Sequence, residues 1–166
     1  LMTHRGPDDY GILNDEKFCF AFRRLSIIDL SNLGNQPMQS FDKKVSIIFN
    51  GEIYNFKELR KILLKKGYKF KSSSDTEVLL YLYYEFGINC LDKINGMFAF
   101  AIFDKRSDEF FLVRDRVGIK PLFYNLDEDG FIFSSEIKSI LSFNDNKKYD
   151  LNDFSISSYL SFRYPL

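Results

Sequence analysis

The residues of this 166-residue chain that are best suited to chemistry are an arginine closing an apolar segment, an Asn-Gly pair and an aspartate in a serine-rich stretch: Arg24, Asn50–Gly51 and Asp75. A forked guanidinium can clamp a carboxylate, and an aspartate can receive an ammonium group. A side-chain amide and a backbone N–H can together stabilise a negatively charged oxygen. The set is therefore complementary to an amino acid whose side chain carries a carbonyl.

Each of these residues also has a purely structural interpretation. Asn-Gly between apolar residues is the strongest short signal for a β-hairpin turn. The functional alternative is a strand that ends at Asn50, with the Asn50 amide and the Gly51 N–H pointing outward together, and a bare Gly51 backbone that a reacting carbonyl can approach closely. Arg24 could be a surface charge at a strand end, and Asp75 could simply favour a helix N-terminus.

Other polar clusters give no firm chemistry. The run His4 to Asp9 is a dense polar motif, but no serine or cysteine stands in a nucleophile elbow, so its role stays open. Cys19 and Cys90 lack metal-binding spacing and the chain has a single histidine, so no metal site is predicted. Both cysteines are expected to be buried thiols in a reducing compartment.

The balanced charge and the lack of long apolar runs argue against nucleic acids and membranes as partners. Lys plus Arg and Asp plus Glu number 23 each, so no one-signed field is available to grip nucleic acid. The basic tract 57–71 alternates with leucines and isoleucines at helical spacing, which is typical of a solvated helix face. No apolar run approaches the ~18 residues of a membrane span, and no signal peptide is visible, so a cytoplasmic location is expected.

The elements that must position these residues are short strands and helices. Strands are predicted near residues 18–24, 45–49, 97–103 and 109–113. In the third, Ala99 and Ala101 share one face while Phe98 and Phe100 share the other, so both faces are expected to be covered. Helices are predicted at 55–67, with Asn55 and Glu58 as a capping box, at 74–87, and more weakly at 135–142 and 152–162. Hairpin-like links at 104–108 and 127–130 indicate an α+β fold with antiparallel sheets.

An ordered series of motifs resembles one known family along nearly the whole chain, the N-terminal type-2 glutamine amidotransferase domain of glutamine-hydrolysing asparagine synthetases. The matching stretches are HRGPDD from His4, RLSIID from Arg24, QPM from Gln36, FNGEIYN from Phe49, SDTEVLL from Ser74, NGMFAFAIFD from Asn95, RDRVGIKPLFY from Arg114 and SSEIKSIL from Ser134.

The resemblance implies an N-terminal-nucleophile hydrolase fold, an αββα sandwich of two antiparallel sheets between helical layers. It implies that Arg24 holds the glutamine α-carboxylate and that Asn50 and Gly51 form the oxyanion hole. The remaining implied pocket residues are the backbone of the segment after Arg24 and two acidic residues near the amine end: Leu25, Ser26, Ile27, Ile28, Glu52 and Asp75.

The resemblance also sets expectations for the rest of the protein. Residues 1–150 would be the amidotransferase domain, and 151–166 a helix leading to a synthetase domain that uses ATP and Mg²⁺ to amidate aspartate. No cofactor is expected in the amidotransferase domain itself, and its expected partners are glutamine, the synthetase domain and a second copy of the chain. The family nucleophile is an N-terminal cysteine whose own amine acts as base. No such residue precedes His4 here, so this chain is expected to be a fragment that does not hydrolyse glutamine.

Two alternatives accompany this interpretation. The chain could belong to an asparagine-synthetase-like enzyme that amidates another carboxylate. It could also be a non-catalytic module that binds an amino acid or supports dimer contacts.

Overall fold

The computed structural model describes residues 1–128, 130–143 and 150–164. Its strands are β1 Asp9–Asn14, β2 Cys19–Arg24, β3 Met38–Gln39, β4 Val45–Ile53, β5 Gly96–Asp104, β6 Glu109–Arg114, β7 Phe123–Asp127 and β8 Gly130–Ser134. Its α-helices are α1 Phe56–Lys65, α2 Asp75–Phe86, α3 Ile137–Phe143 and α4 Asp153–Phe162. Short 3₁₀ turns cover Thr3–Arg5, Asn32–Gly34 and Gly87–Asp92.

All strand pairs are antiparallel. A four-stranded sheet has the order β3-β4-β5-β6, and two hairpins, β1-β2 and β7-β8, form separate two-stranded sheets. The predicted α+β class with antiparallel sheets is confirmed. The strands are distributed over three sheets instead of the two expected, because the β1-β2 and β7-β8 hairpins do not pair with each other in the described part of the chain.

Strand β5 lies at the centre of the core, as its two-sided apolar pattern predicts. Residues Phe98 to Asp104 are all buried. Phe98, Phe100 and Ile102 pack into the cluster that includes α1 and α2, whereas Ala101 and Phe103 pack with Phe20 of the first hairpin. The central sheet is therefore covered by helices on one face and by hairpins on the other.

The two main helices begin differently from each other. Ser74 caps α2, with its hydroxyl accepting from the Glu77 N–H, as expected for a serine N-cap. The predicted capping box of α1 is wrong: Asn55 makes no side-chain cap bond. Its side chain instead donates to the Lys93 carbonyl and accepts from the Asn95 N–H, tying the start of α1 to the loop before β5.

The hairpin interpretation of the Asn-Gly pair is wrong, and so is a strand end at Asn50. Strand β4 runs through both residues to Ile53, with Asn50 opposite Ala99 and Gly51 opposite Phe98. The predicted burial of both cysteines is right for Cys90 and wrong for Cys19, which is exposed at the start of β2. Burial raises the pKa of the Cys90 thiol to about 12.

Some predictions fall outside the described residues. They concern Asp129 in the second predicted hairpin link, residues 144–149 before the predicted domain boundary, and residues 165–166. In the described part of the chain, no helix is both long and apolar enough to cross a membrane.

Candidate active site

A cleft of about 1050 Å³ lies between the central sheet and the two hairpins. Its walls include most of the residues singled out from the sequence: Arg24, Leu25, Ile27, Ile28, Asn50, Gly51 and Asp75. Ser26 and Glu52 are not in its wall. The Ser26 N–H donates instead to the Asp8 carboxylate at 2.7 Å, which gives the His4 to Asp9 motif a role in holding this loop.

The backbone of Gly51 presents an N–H on the open side of β4. The Tyr54 N–H bonds to the Asn95 carbonyl, and in an antiparallel pair the bonded positions alternate. With the β4–β5 register, the amides of Phe49, Gly51 and Ile53 therefore point away from β5. The Phe49 N–H donates to the side chain of Gln36 and the Ile53 N–H to Asp75. The Gly51 N–H lies between these two bonds and faces the cleft side of the strand edge.

Gly51 lacks a side chain for a packing reason that the sequence does not reveal. A Cβ at this position would lie 2.2 Å from the Met97 carbonyl oxygen and 2.8 Å from the Phe98 Cα. Gly96 has the reciprocal constraint, since a Cβ there would meet the Glu52 carbonyl at 2.2 Å. The two glycines thus let β4 and β5 approach closely, and the close approach concerns the neighbouring strand as well as any substrate.

Asn50 projects onto the hairpin face of the central sheet, beside Ala99. Its Nδ2 donates to the Ser135 hydroxyl at 3.4 Å. A primary amide has two N–H groups, so one remains for a ligand while the other fixes the plane of the amide. The side-chain amide of Asn50 and the backbone N–H of Gly51 are neighbouring donors at one side of the cleft.

Asp75 is buried at the first position of α2, 4% exposed. Desolvation raises the pKa of its carboxyl above the usual value, opposed by the N–H groups of Ile53 and Thr76, and the negative charge of Glu52 adds to the increase. A buried carboxylate without a nearby cation is costly to ionise. An ammonium group in the cleft would relieve that cost.

Arg24 is also buried, and much of its guanidinium is already engaged. Its Nη1 donates to the Ser31 carbonyl at 2.8 Å and to the Asn35 side chain, and its Nη2 donates to the Asp29 carbonyl. A guanidinium has five N–H groups, so the bonds to the loop leave two for a ligand. Arg24 therefore builds the loop that follows it in addition to lining the cleft.

Asp29 is a structural residue that the sequence argument missed. Its carboxylate accepts from the N–H and hydroxyl of Ser31 and from the N–H and hydroxyl of Ser73. The Ser31 and Ser73 bonds hold the pKa of this carboxyl well below its usual range. Asp29 thereby joins the loop after β2 to the residue preceding the α2 cap. Its position in a loop, 44 residues before Ser73, gave no signal of this contact.

The His4 to Asp9 motif forms a charged contact with the start of α3. Glu136 accepts from His4 Nε2 at 2.8 Å, lies 3.7 Å from Arg5 Nε, and pairs with Lys138 at 2.9 Å. Glu136 follows Ser135, so this contact fixes the segment that holds the Asn50 amide. Among the described residues, no group of three His, Cys, Asp or Glu side chains is arranged to hold a metal ion.

The whole chain, residues 1–166, matches the family model described as a glutamine amidotransferase domain. It is 52% identical over 141 residues to asparagine synthetase [glutamine-hydrolyzing] 2 of Bacillus subtilis, a match that covers 85% of this chain and 18% of that protein. It is 43% identical to asparagine synthetase B of Escherichia coli over 85% of this chain and 25% of the relative. The chain thus spans only about a fifth to a quarter of these relatives.

Solved structures agree on the fold. The glutamine phosphoribosylpyrophosphate amidotransferase of Bacillus subtilis superposes with a TM-score of 0.63 and 26% identity, covering 74% of this chain and 28% of that one. The fold is that of the N-terminal-nucleophile hydrolase amidotransferases, as the resemblance predicted.

Proposed function

This chain belongs to the glutamine amidotransferase domain family, and from that premise we propose that it binds glutamine and stabilises the oxyanion formed when the side-chain amide is attacked. The α-carboxylate binds at Arg24 and the α-amine at Asp75. The side-chain carbonyl faces the Asn50 amide and the Gly51 N–H. Ser26 has its N–H engaged by Asp8, so the carboxylate contacts from this loop come from its other backbone groups.

One observation carries the proposal, namely the Gly51 N–H on the open edge of β4, between the bonds of Phe49 and Ile53. A donor held in place by its strand, with a side-chain amide as its neighbour, costs no reorganisation when charge develops on the substrate oxygen. The buried Asp75 accepts from the N–H of Ile53, which is the next outward-facing position of the same edge. Two strand residues span about 6.6 Å, a separation that supports an amine site at Asp75 within one amino acid's length of the proposed oxyanion donors.

We propose that neither cysteine is the nucleophile. Cys90 is buried with a raised pKa, which opposes formation of the thiolate. Cys19 begins β2 and Arg24 ends it, so the two lie ~16 Å apart along the strand, too far for one glutamine to span. The support for an N-terminal cysteine as nucleophile is the family resemblance.

In the whole protein, we propose that ammonia from glutamine amidates aspartate at a synthetase domain that uses ATP and Mg²⁺, in the cytoplasm. The support is the printed activity of the relatives, glutamine-hydrolysing asparagine synthesis, and their greater length. The exposed apolar side chains of α4, such as Phe154 and Leu160, support contact with that domain or with a second copy of the chain.

Glutamine binding by the 166-residue chain tests the proposal. We expect L-glutamine to shift the backbone amide resonances of Gly51 and Asp75 in ¹H–¹⁵N spectra, in a saturable way. D-glutamine, which exchanges the positions of the amine and carboxylate, is the matched control and is expected to bind at least about tenfold more weakly. Equal binding of the two enantiomers, or no saturable shift with L-glutamine, would contradict the assignment of Arg24 and Asp75.

A further inference from the structure

Gln36 occupies the position of a missing neighbour strand beside β4. It is buried, 8% exposed, and lies just before β3. Its Oε1 accepts from the Phe49 N–H at 2.6 Å, and its Nε2 donates to the Phe49 carbonyl at 3.1 Å. The amide side chain thus satisfies both backbone groups of one residue, Phe49, as a paired strand would.

This bidentate contact acts on the residue that leads into the oxyanion donors. Strand β3 begins with Met38 opposite Ile47, so from Ile48 onward the outward edge of β4 has no strand partner among the described residues. Gln36 holds this edge at Phe49 and Asp75 holds it at Ile53. The Gly51 N–H lies halfway between these two bonds on the same edge.

Gln36 reaches the second half of the site as well. The same Nε2 donates to the Thr76 hydroxyl at 3.2 Å, and Thr76 follows Asp75 in the first turn of α2. One buried amide therefore links the strand that carries Asn50 and Gly51 to the helix that carries Asp75.

We propose that Gln36 is a positioning residue of the glutamine site, which orients the Gly51 N–H through Phe49 and sets its distance from Asp75 through Thr76. The expected effect of Gln36 on glutamine binding rests on the proposed function. Its effect on the Gly51 N–H is a property of the free protein and does not depend on glutamine. A purely structural role for Gln36 would affect stability without altering Gly51 or glutamine binding.

Two substitutions distinguish these roles. Gln36→Met keeps the length of the side chain and removes both polar atoms at every pH. Gln36→Glu has only acceptors when ionised, so it repels the Phe49 carbonyl, but the protonated acid has one acceptor and one donor and restores the bidentate pattern. Desolvation favours the protonated form of a buried carboxyl, so this restoration is expected at mildly acidic pH.

The readouts are the Gly51 amide resonance in the free protein and the glutamine Kd at pH 7.5. We expect both variants to displace the Gly51 resonance at pH 7.5 and to weaken the Kd by about tenfold, the consequence of losing about one well-oriented hydrogen bond. Lowering the pH to about 5 should return the Gly51 resonance of Gln36→Glu toward that of the wild type at the same pH. It should leave Gln36→Met displaced.

Gln39→Met is the matched control. Gln39 also donates from Nε2 to β4, to the Ser46 hydroxyl at 3.1 Å, but five residues before Gly51. It should lower stability without moving the Gly51 resonance or the Kd. If Gln36→Met fails to fold, Thr76→Val, which removes only the link to α2, is expected to weaken the Kd by about threefold.

Folded Gln36 variants with an unchanged Gly51 resonance and Kd would overturn the proposal, as would Gln36→Glu without recovery at low pH. An unchanged Kd for Thr76→Val would overturn the link to α2. If the wild type does not bind glutamine, the proposed function fails, and the displacement of Gly51 in the free variants still decides whether Gln36 orients that amide.

Discussion

Asn50 and Gly51 lie inside one continuous strand, which holds the two proposed oxyanion donors in fixed positions relative to each other. The Asn-Gly pair has the local pattern of a turn, but β4 continues through it, because Glu52 and Ile53 pair with Met97 and Gly96 at the start of β5. Local patterns report which turns a segment can form. They do not report the long-range pairing that decides whether the turn forms.

Replacing Asn50 by alanine should lower kcat for glutamine hydrolysis by about 10² to 10³-fold, the usual cost of one oxyanion donor. KM should change by less than about threefold, since the donor acts mainly on the transition state. The measurement is steady-state ammonia release in a glutamine-hydrolysing form of the protein. Ser135→Ala, which only frees the Asn50 amide, should have a smaller effect on kcat, and a change confined to KM in Asn50→Ala would exclude the oxyanion role.

Asp75 should make glutamine binding depend on pH in an unusual range. Burial raises the pKa of its carboxyl, so the free protein holds a proton there at pH values above the usual 3.8, and the substrate ammonium favours the ionised form. Binding should therefore release protons, and affinity should fall as the pH drops through the raised pKa. Isothermal titration calorimetry in buffers of different ionisation enthalpy measures this release. Asp75→Asn should bind far more weakly and release none, and proton uptake by the wild type would contradict the assignment.

At the scale of elements, the sequence predicts that the backbone of the loop after β2 contacts substrate. It does not predict which residues anchor this loop. Arg24 holds it through bonds to residues 5 to 11 positions further along the chain. Asp8 and Asp29 hold it through contacts that span 18 and 44 positions. Such contacts have no periodicity, so a sequence gives little sign of them, whereas α2 and β5 follow from regular patterns. The sequence could therefore predict candidate site residues by type, most of which line one cleft, whereas the anchoring of the loop beside them is visible only in the structure.

Asp29→Asn should lower the free energy of unfolding by about 2–3 kcal/mol at pH 7, because the amide cannot accept four hydrogen bonds and turns its own N–H groups toward two donors. The folded-state pKa of Asp29 is depressed, so its contribution is present above the unfolded value of about 3.8 and is lost as the pH falls through the folded pKa. Urea denaturation from pH 7 downward should show the two proteins converging. Asp92→Asn, at an exposed position, is the control. A constant difference at all pH values would contradict the stabilising role assigned to the ionised Asp29 carboxylate.

At the scale of the molecule, the central sheet and the hairpins differ in how they are stabilised. Strand β5 is paired on both edges and buried on both faces, whereas β1-β2 and β7-β8 are two-stranded sheets, which are marginal alone. The cleft of about 1050 Å³ separates them from part of the central sheet. The α+β class could be predicted from the strand and helix patterns, but the separation of the hairpins could not, since it depends on which edges meet.

Hydrogen exchange should reveal this division as two levels of protection. Amides of β4, β5 and α2 should exchange near the rate set by global unfolding, and those of β1-β2 and β7-β8 faster by about tenfold or more, since few contacts must break for a hairpin to open. Saturating glutamine should slow exchange in β4 near Gly51, at the start of α2 and in the loop after Arg24, because each is proposed to hold a group of the ligand. Exchange in α4, which lies outside the cleft, should stay unchanged and serves as the internal control. Hairpins that exchange as slowly as β5 would show that stronger contacts close the cleft than the structure contains. A uniform slowing by glutamine that includes α4 would indicate global stabilisation in place of a local site.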